Sequence, residues 1–231
     1  MPSFGLVLLA AATSNAATAL VPLAGMTATD CALVQPVVER YTLQCGSPAR
    51  TFHGRTEQFE VLMDDMAACS VLSQSLGLIV YRVVNDSSGH VFADNREGAS
   101  GRLQQVYCAE GQRIYYVEGA QRGVFQARGR GVVIVQFAQI APETIEYSGT
   151  IFVKIDNPVV ATLAQVFFVF VKGMVDHHFE YLMKQPIRLC GWALDDPTML
   201  LRCIERMPAE DYWMLAPFAA TLHDGRSAVT Q

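Results

Sequence analysis

Residues 145–156 alternate with a period of two. Ile145, Tyr147, Gly149, Ile151, Val153 and Ile155 fall on one face, and Glu146, Ser148, Thr150, Lys154 and Asp156 on the other, with Phe152 the one exception. Such alternation specifies a strand with one face buried and one wet, because a slip of one residue would carry every apolar side chain to solvent. Asn157-Pro158 follows at once. Proline in a first turn gives up only an N–H that has no helical partner, so a helix starts there. Val160, Leu163, Phe167, Phe170, Val171, Met174, His178 and Leu182 form one apolar stripe and predict a single long helix to about Gln185, stopped by Pro186. Lys172, Asp176, Glu180 and Lys184 step by four on another face and predict a solvated, partly ion-paired surface.

Upstream, Phe59, Leu62, Met63 and Met66 recur at helical spacing behind a capping Thr56, and Gly77 suits the helix end. Short strands follow at Leu78–Asn85, His90–Asp94, Ser100–Ala109, Gln112–Glu118, Gly131–Ile140 and Glu146–Asp156. Asp86-Ser87-Ser88-Gly89, Glu110-Gly111 and a loop holding Pro142 punctuate them. These connections are too short for parallel crossovers, so the strands form an antiparallel meander. Gly98–Gly101 and Gly119–Gly131 lack phosphate-loop spacing and predict turns or bulges. Asp195–Met207 and Asp211–Leu222 predict two shorter helices beyond the long one.

This order of helix, antiparallel strands and long C-terminal helix resembles the START-like superfamily, which includes the polyketide cyclases and Bet v 1-like proteins. The resemblance is carried by Phe59–Gly77, by Tyr115-Tyr116-Val117-Glu118-Gly119, by Gly129–Phe137, and by Tyr147–Asp156 with Asn157-Pro158 and the helix they open. It covers about residues 50–186 and places the first strand at Tyr41–Cys45 or Arg50–His53. It implies an α+β helix-grip fold: a curved antiparallel sheet of about six or seven strands around a long C-terminal α-helix, with an apolar cavity between them. By that topology the expected cavity residues are Tyr147, Ile151 and Val153 on the strand and Phe167, Phe170, Met174 and His178 on the helix. Tyr116 and Glu118 join them if their shared face points inward.

The domain plan expected is an apolar N-terminal segment 1–29, a helix-grip domain 30–189 and a helical extension 190–231. No charged side chain precedes Asp30. Phe4–Ala12 is a short apolar run, and Ala17-Thr18-Ala19 a small-x-small site, which together predict an export signal. Six cysteines fit either compartment; in an exported protein Cys31–Cys45 and Cys190–Cys203 are the locally plausible bridges among 15 connectivities.

Hydrophobic residues make up 51% of the 231, which excludes disorder. A net charge of −5 with only three lysines (Lys154, Lys172, Lys184) argues against nucleic acid as a partner. No zinc spacing and no nucleophile elbow occurs, and no cofactor is implied. Asp176-His177-His178 is rejected as a metal site because adjacent helical residues point about 100° apart. Arg122, Arg128 and Arg130 form a small basic loop.

The expected function is non-covalent binding or transport of a hydrophobic, lipid-like small molecule, with transient membrane contact and with His178, Tyr147 or Glu118 as polar anchors. One alternative is a cyclase- or dehydratase-like enzyme using His178 and Tyr147 as acid–base groups. The other is a structural domain whose core is filled.

Overall fold

The computed structural model describes residues 20–78, 82–85, 91–96, 98–122 and 126–227, leaving aside the side chains of Phe170 and of residues 224–227. The apolar run Phe4–Ala12, the small-x-small site at Ala17–Ala19 and the turn Asp86–Gly89 therefore lie outside the described residues.

Seven antiparallel strands form one sheet: β1 (Leu43–His53), β2 (Arg82–Asn85), β3 (Val91–Asp94), β4 (Ala99–Ala109), β5 (Gln112–Gln121), β6 (Ala127–Ala141) and β7 (Thr144–Ile155), in the order β1-β7-β6-β5-β4-β3-β2. β1 covers Arg50–His53 and, of the other expected position, Leu43–Cys45, with an irregularity between Ser47 and Arg50. The fold is an α+β helix grip. Preceding β1 is α1 (Ala28–Val38); after it come α2 (Thr56–Asp64) and α3 (Met66–Ser75). After β7 come α4 (Pro158–Val166), α5 (Phe168–Asp195), α6 (Pro197–Glu205) and α7 (Ala209–Ser227).

The early helix is two helices, because Asp65 leaves helical backbone and its carboxylate accepts from the Ala68 N–H at 2.9 Å, capping α3. Thr56 is the first helical residue rather than the cap; its N–H and hydroxyl both donate to Gln139 Oε1. Gly77 terminates α3 with φ +74°.

Two expectations about the long helix are corrected. Helices α4 and α5 meet at Phe167 with a 95° bend. The short α4 lies over the end of β7, where Gln165 donates to the Thr42 carbonyl at 3.4 Å, and α5 turns into the concave face of the sheet. Pro186 does not stop α5, which continues to Asp195. Leu189, Cys190 and Ala193 beyond it are buried in the main core, and their burial offsets the hydrogen bond that proline removes. The expected 189/190 boundary falls inside this helix.

The sheet is covered on both faces. The concave core joins α2, α3 and α5 to the inward residues of the strands, and Leu200, Leu201, Ile204, Leu215, Phe218 and Leu222 of α6 and α7 belong to the same cluster. A second core lies on the convex face. There Val34, Val37 and Val38 of α1, with Val21, meet Ile114, Tyr116, Val132, Ile134 and Phe152. This explains the exception in the β7 alternation: Phe152 is fully buried under α1. Leu20, Val21, Leu23 and Met26 are part of this packing.

All six cysteines are free. Cys45 faces the concave side near Lys172 and Asp176 of α5, whereas Cys31 sits on α1 and donates to the Leu23 carbonyl, so the sheet separates the two. Cys190 is buried near Cys69, and Cys203 contacts the Ser75 hydroxyl at 3.3 Å. Neither expected bridge forms.

Candidate functional site

Strands β4–β7 and helix α5 line a partly open cavity of about 340 Å³. Its floor is built from the inward positions of neighbouring strands: Leu103 on β4, Val117 on β5, Val133 on β6, Ile151 and Val153 on β7. The register pairs Leu103 with Val117 and Val133 with Ile151, so these side chains form rows across the sheet. The roof is one stripe of α5, Val171, Met174, Val175, His178, Phe179 and Leu182, spaced by three and four. Met63 and Tyr115 also line the cavity, and the Tyr115 hydroxyl donates to the Met63 carbonyl at 2.8 Å. Burial pushes the Tyr115 phenol far above its ordinary pKa, so it stays a neutral hydrogen-bond donor.

At the other end Gly101, Gly119 and Gly129 face one another in register across three strands. A Cβ at Gly101 would meet Glu118 O at 2.8 Å, one at Gly119 would meet Ser100 O at 2.7 Å, and one at Gly129 would meet Lys154 O at 2.5 Å. The backbones approach too closely there for side chains, and the glycine row leaves the cavity end unfilled. The glycine-rich stretches thus lie within strands and shape the cavity, not in turns alone.

Almost every lining atom is apolar. The polar side chain on the roof is His178; Ser100, Gln121, Arg128 and Arg130 flank the glycine end. Arg130 reaches Asp156 at 2.6 Å, and the Gln121 amide donates to the Arg122 carbonyl. Below His178, α5 is tied to β1 by Arg50 and Glu180 at 2.5 Å and carries its own Lys172–Asp176 pair.

Of the residues expected at the site, the structure gathers Ile151, Val153, Met174 and His178 around this cavity. Tyr147 shares their face but lies in the filled part of the core, edge-on to Phe52 at 5.6 Å, with its pKa raised by burial. The structure therefore does not assemble His178 and Tyr147 as a pair in the cavity. Tyr116 and Glu118 occupy the opposite face of β5: Tyr116 is in the convex core and Glu118 is exposed. Phe167 is 58% exposed, because the α4–α5 bend turns its ring outward. Phe170 lies outside the described side chains. Asp176, His177 and His178 diverge: Asp176 pairs with Lys172, His177 stacks on Tyr181, and His178 faces the cavity. Leu103, Val117, Val133 and Tyr115 had not been expected at the site. Their signal was the pairing of inward positions with Ile151 and Val153 on neighbouring strands.

No family model and no curated protein matches this chain. Among solved structures it is similar to a conserved protein from Geobacillus kaustophilus, with 14% identity and a TM-score of 0.45 over 63% of this chain and 96% of that one. It is also similar to a START superfamily protein from Mycobacterium smegmatis, with 11% identity and a TM-score of 0.42 over 63% of this chain and 97% of that one. The helix-grip fold stands on this chain's own strand order, register and helix placement.

Proposed function

We propose that the protein binds a hydrophobic, lipid-like small molecule non-covalently in the cavity between sheet and α5. The observation that carries this reading is an apolar cavity of about 340 Å³ between the sheet and α5. That volume lies at the lower end of ligand sites, which run from about 300 to 1,000 Å³, and is more than twice the roughly 150 Å³ that holds a benzene ring. The drive is removal of apolar surface from water, about 25 cal/mol per Å². His178 is the polar group placed to orient a ligand from the roof. The cavity also sets the ligand reading above that of a filled structural domain. An enzymatic role would have to run through His178 without Tyr147.

The protein is proposed to be exported, with cleavage after Ala19 leaving Leu20 and Val21 to pack on the convex face. N-terminal sequencing of the native protein tests that point.

Native mass spectrometry of freshly purified protein, followed by solvent extraction, tests the ligand reading. Excess mass that is lost on denaturation and resolves as an amphiphile is expected. Bare protein mass, unchanged by a panel of fatty acids, phospholipids and sterols, would sink it.

A further inference from the structure

Seven of the ten large exposed hydrophobics among the described residues lie in one stretch: Val159, Leu163, Val166, Phe167, Phe168, Val169 and Met174. They surround the bend between α4 and α5. No charged residue occurs from Asn157 to Val171. Among the described residues no single helix is long and apolar enough to cross a membrane, but the bent pair α4 and α5 is, by length and composition. A 95° bend makes that apolar length a protruding elbow rather than a span.

Two further observations say what such an elbow meets. First, it is continuous with the cavity: Met174 lines both the cavity and the outer apolar groove formed with Val166, Phe167, Val169, Gly173 and His177. Second, a cation adjoins its base. The Asp156 N–H donates to the Arg128 carbonyl at 3.1 Å, two residues before α4 begins, and Arg128 is exposed. The nearby acids Asp156 and Asp176 are paired with Arg130 and Lys172. An exposed apolar elbow with an arginine at its base fits an interfacial segment lying in a headgroup layer.

We propose that the α4–α5 elbow is a membrane-docking surface, seating Val166, Phe167 and Val169 in a lipid bilayer and presenting the cavity to it. This deepens the ligand reading, but its test does not depend on that reading.

The test is flotation of the full chain with vesicles of phosphatidylcholine and phosphatidylglycerol at 3:1, with circular dichroism to confirm folding. Native protein is expected to float with the vesicles. Phe167→Glu and Val169→Glu, at positions too exposed to support the core, are expected to lower partitioning about ten-fold or more. Arg128→Gln is expected to lower it roughly five-fold. Unchanged flotation of the Glu variants would overturn the proposal and assign binding elsewhere in the chain, residues 1–19 included. Absence of flotation, with a concentration-dependent dimer that Val169→Glu dissolves, would overturn it in favour of a second copy covering the elbow. Ligand recovered from the cavity without any flotation would sink the docking surface alone; flotation without a ligand would support docking and sink the cavity reading alone.

Discussion

The ring of Phe179 on α5 rests directly on the backbone of Gly149 in β7. A Cβ at residue 149 would lie 2.7–2.8 Å from the ring carbons Cε1 and Cε2 and closer still to Cζ. The absence of a side chain on one strand is thus what lets the helix settle into the sheet. Gly149→Ala should therefore destabilise the fold by about 1–3 kcal/mol, the usual cost of overpacking. Phe179→Leu should recover part of that loss in the double variant. Chemical denaturation of the four members of the cycle measures the coupling, and strict additivity would contradict the contact.

Phe152 is a core residue on what the alternation of β7 marks as the wet face. Its ring is fully buried and meets Tyr41 at 5.4 Å under α1. Phe152→Ala should cost about 3–5 kcal/mol, against a few tenths for Thr150→Ala on the same strand face. A small effect of Phe152→Ala in urea denaturation would mean that α1 does not cover the sheet.

That second core shows what the sequence did and did not reveal. The β7 alternation and Asn157-Pro158 announced strand and helix because each is a strong local signal. The convex cover was announced more quietly, by Phe152 itself and by the unbroken apolar runs Ile114–Val117 and Val132–Val135, which belong to strands buried on both faces. The bend at Phe167 left no mark, since neither proline nor glycine stands there and the apolar stripe runs through it. Pro186 misled in the opposite direction, because burial of Leu189 and Cys190 outweighs a local breaker. For the site, the topology of the resemblance, with the β7 alternation and the helical stripe, pointed to Ile151, Val153, Met174 and His178, which line the cavity. It could not say which of Tyr115 and Tyr116 faced inward, a choice fixed only by pairing with β4 and β6.

Arg113 and Asp64 form an asymmetric pair. The Arg113 side chain is 4% exposed and holds both Asp64 oxygens, at 2.6 and 3.0 Å, while Asp64 is 42% exposed. Burial opposes the guanidinium's charge, and the Asp64 carboxylate outweighs it and keeps Arg113 above its ordinary pKa. Asp64→Ala leaves the buried cation to Glu60 at 3.5 Å and to the Ala109 and Gln112 carbonyls, and should cost about 3 kcal/mol. Arg113→Met leaves carboxylates that reach water and keeps an apolar stem against Phe137, so it should cost less. A larger loss for Arg113→Met in thermal unfolding would refute this ordering.

Stability should fall on the alkaline side. Burial pushes the Cys69 thiol up from 9.0 to about 12, and that of Cys190 well above its ordinary value. Well below pH 9 both thiols are neutral in folded and unfolded chains. As the pH rises through 9 the unfolded thiols lose protons that the folded ones keep, for Cys69 up to about 12, so each group lowers stability by up to about 1.4 kcal/mol per pH unit. Cys69→Ala should flatten the alkaline limb of a stability–pH curve even if it lowers the plateau. By the same burial, thiol reagents at pH 8 should modify the exposed Cys108 in the folded protein and reach Cys69 and Cys190 only on unfolding.

Val133 and Ile134 are neighbours on β6 that face opposite ways, the first into the cavity and the second into the convex core. Enlarging each tests whether the cavity is open space. Ile134→Phe forces extra volume into a packed cluster and should cost about 1–3 kcal/mol or more. Val133→Phe has room in the 340 Å³ cavity and should leave stability within about 1 kcal/mol of the native protein, or raise it. The same substitution occupies the space a ligand needs, so it should abolish the ligand-dependent rise in Tm that native protein shows with an amphiphile it binds. Equal destabilisation by both substitutions would mean that the concave core closes in solution, and with it the reading of this space as a binding site would fall.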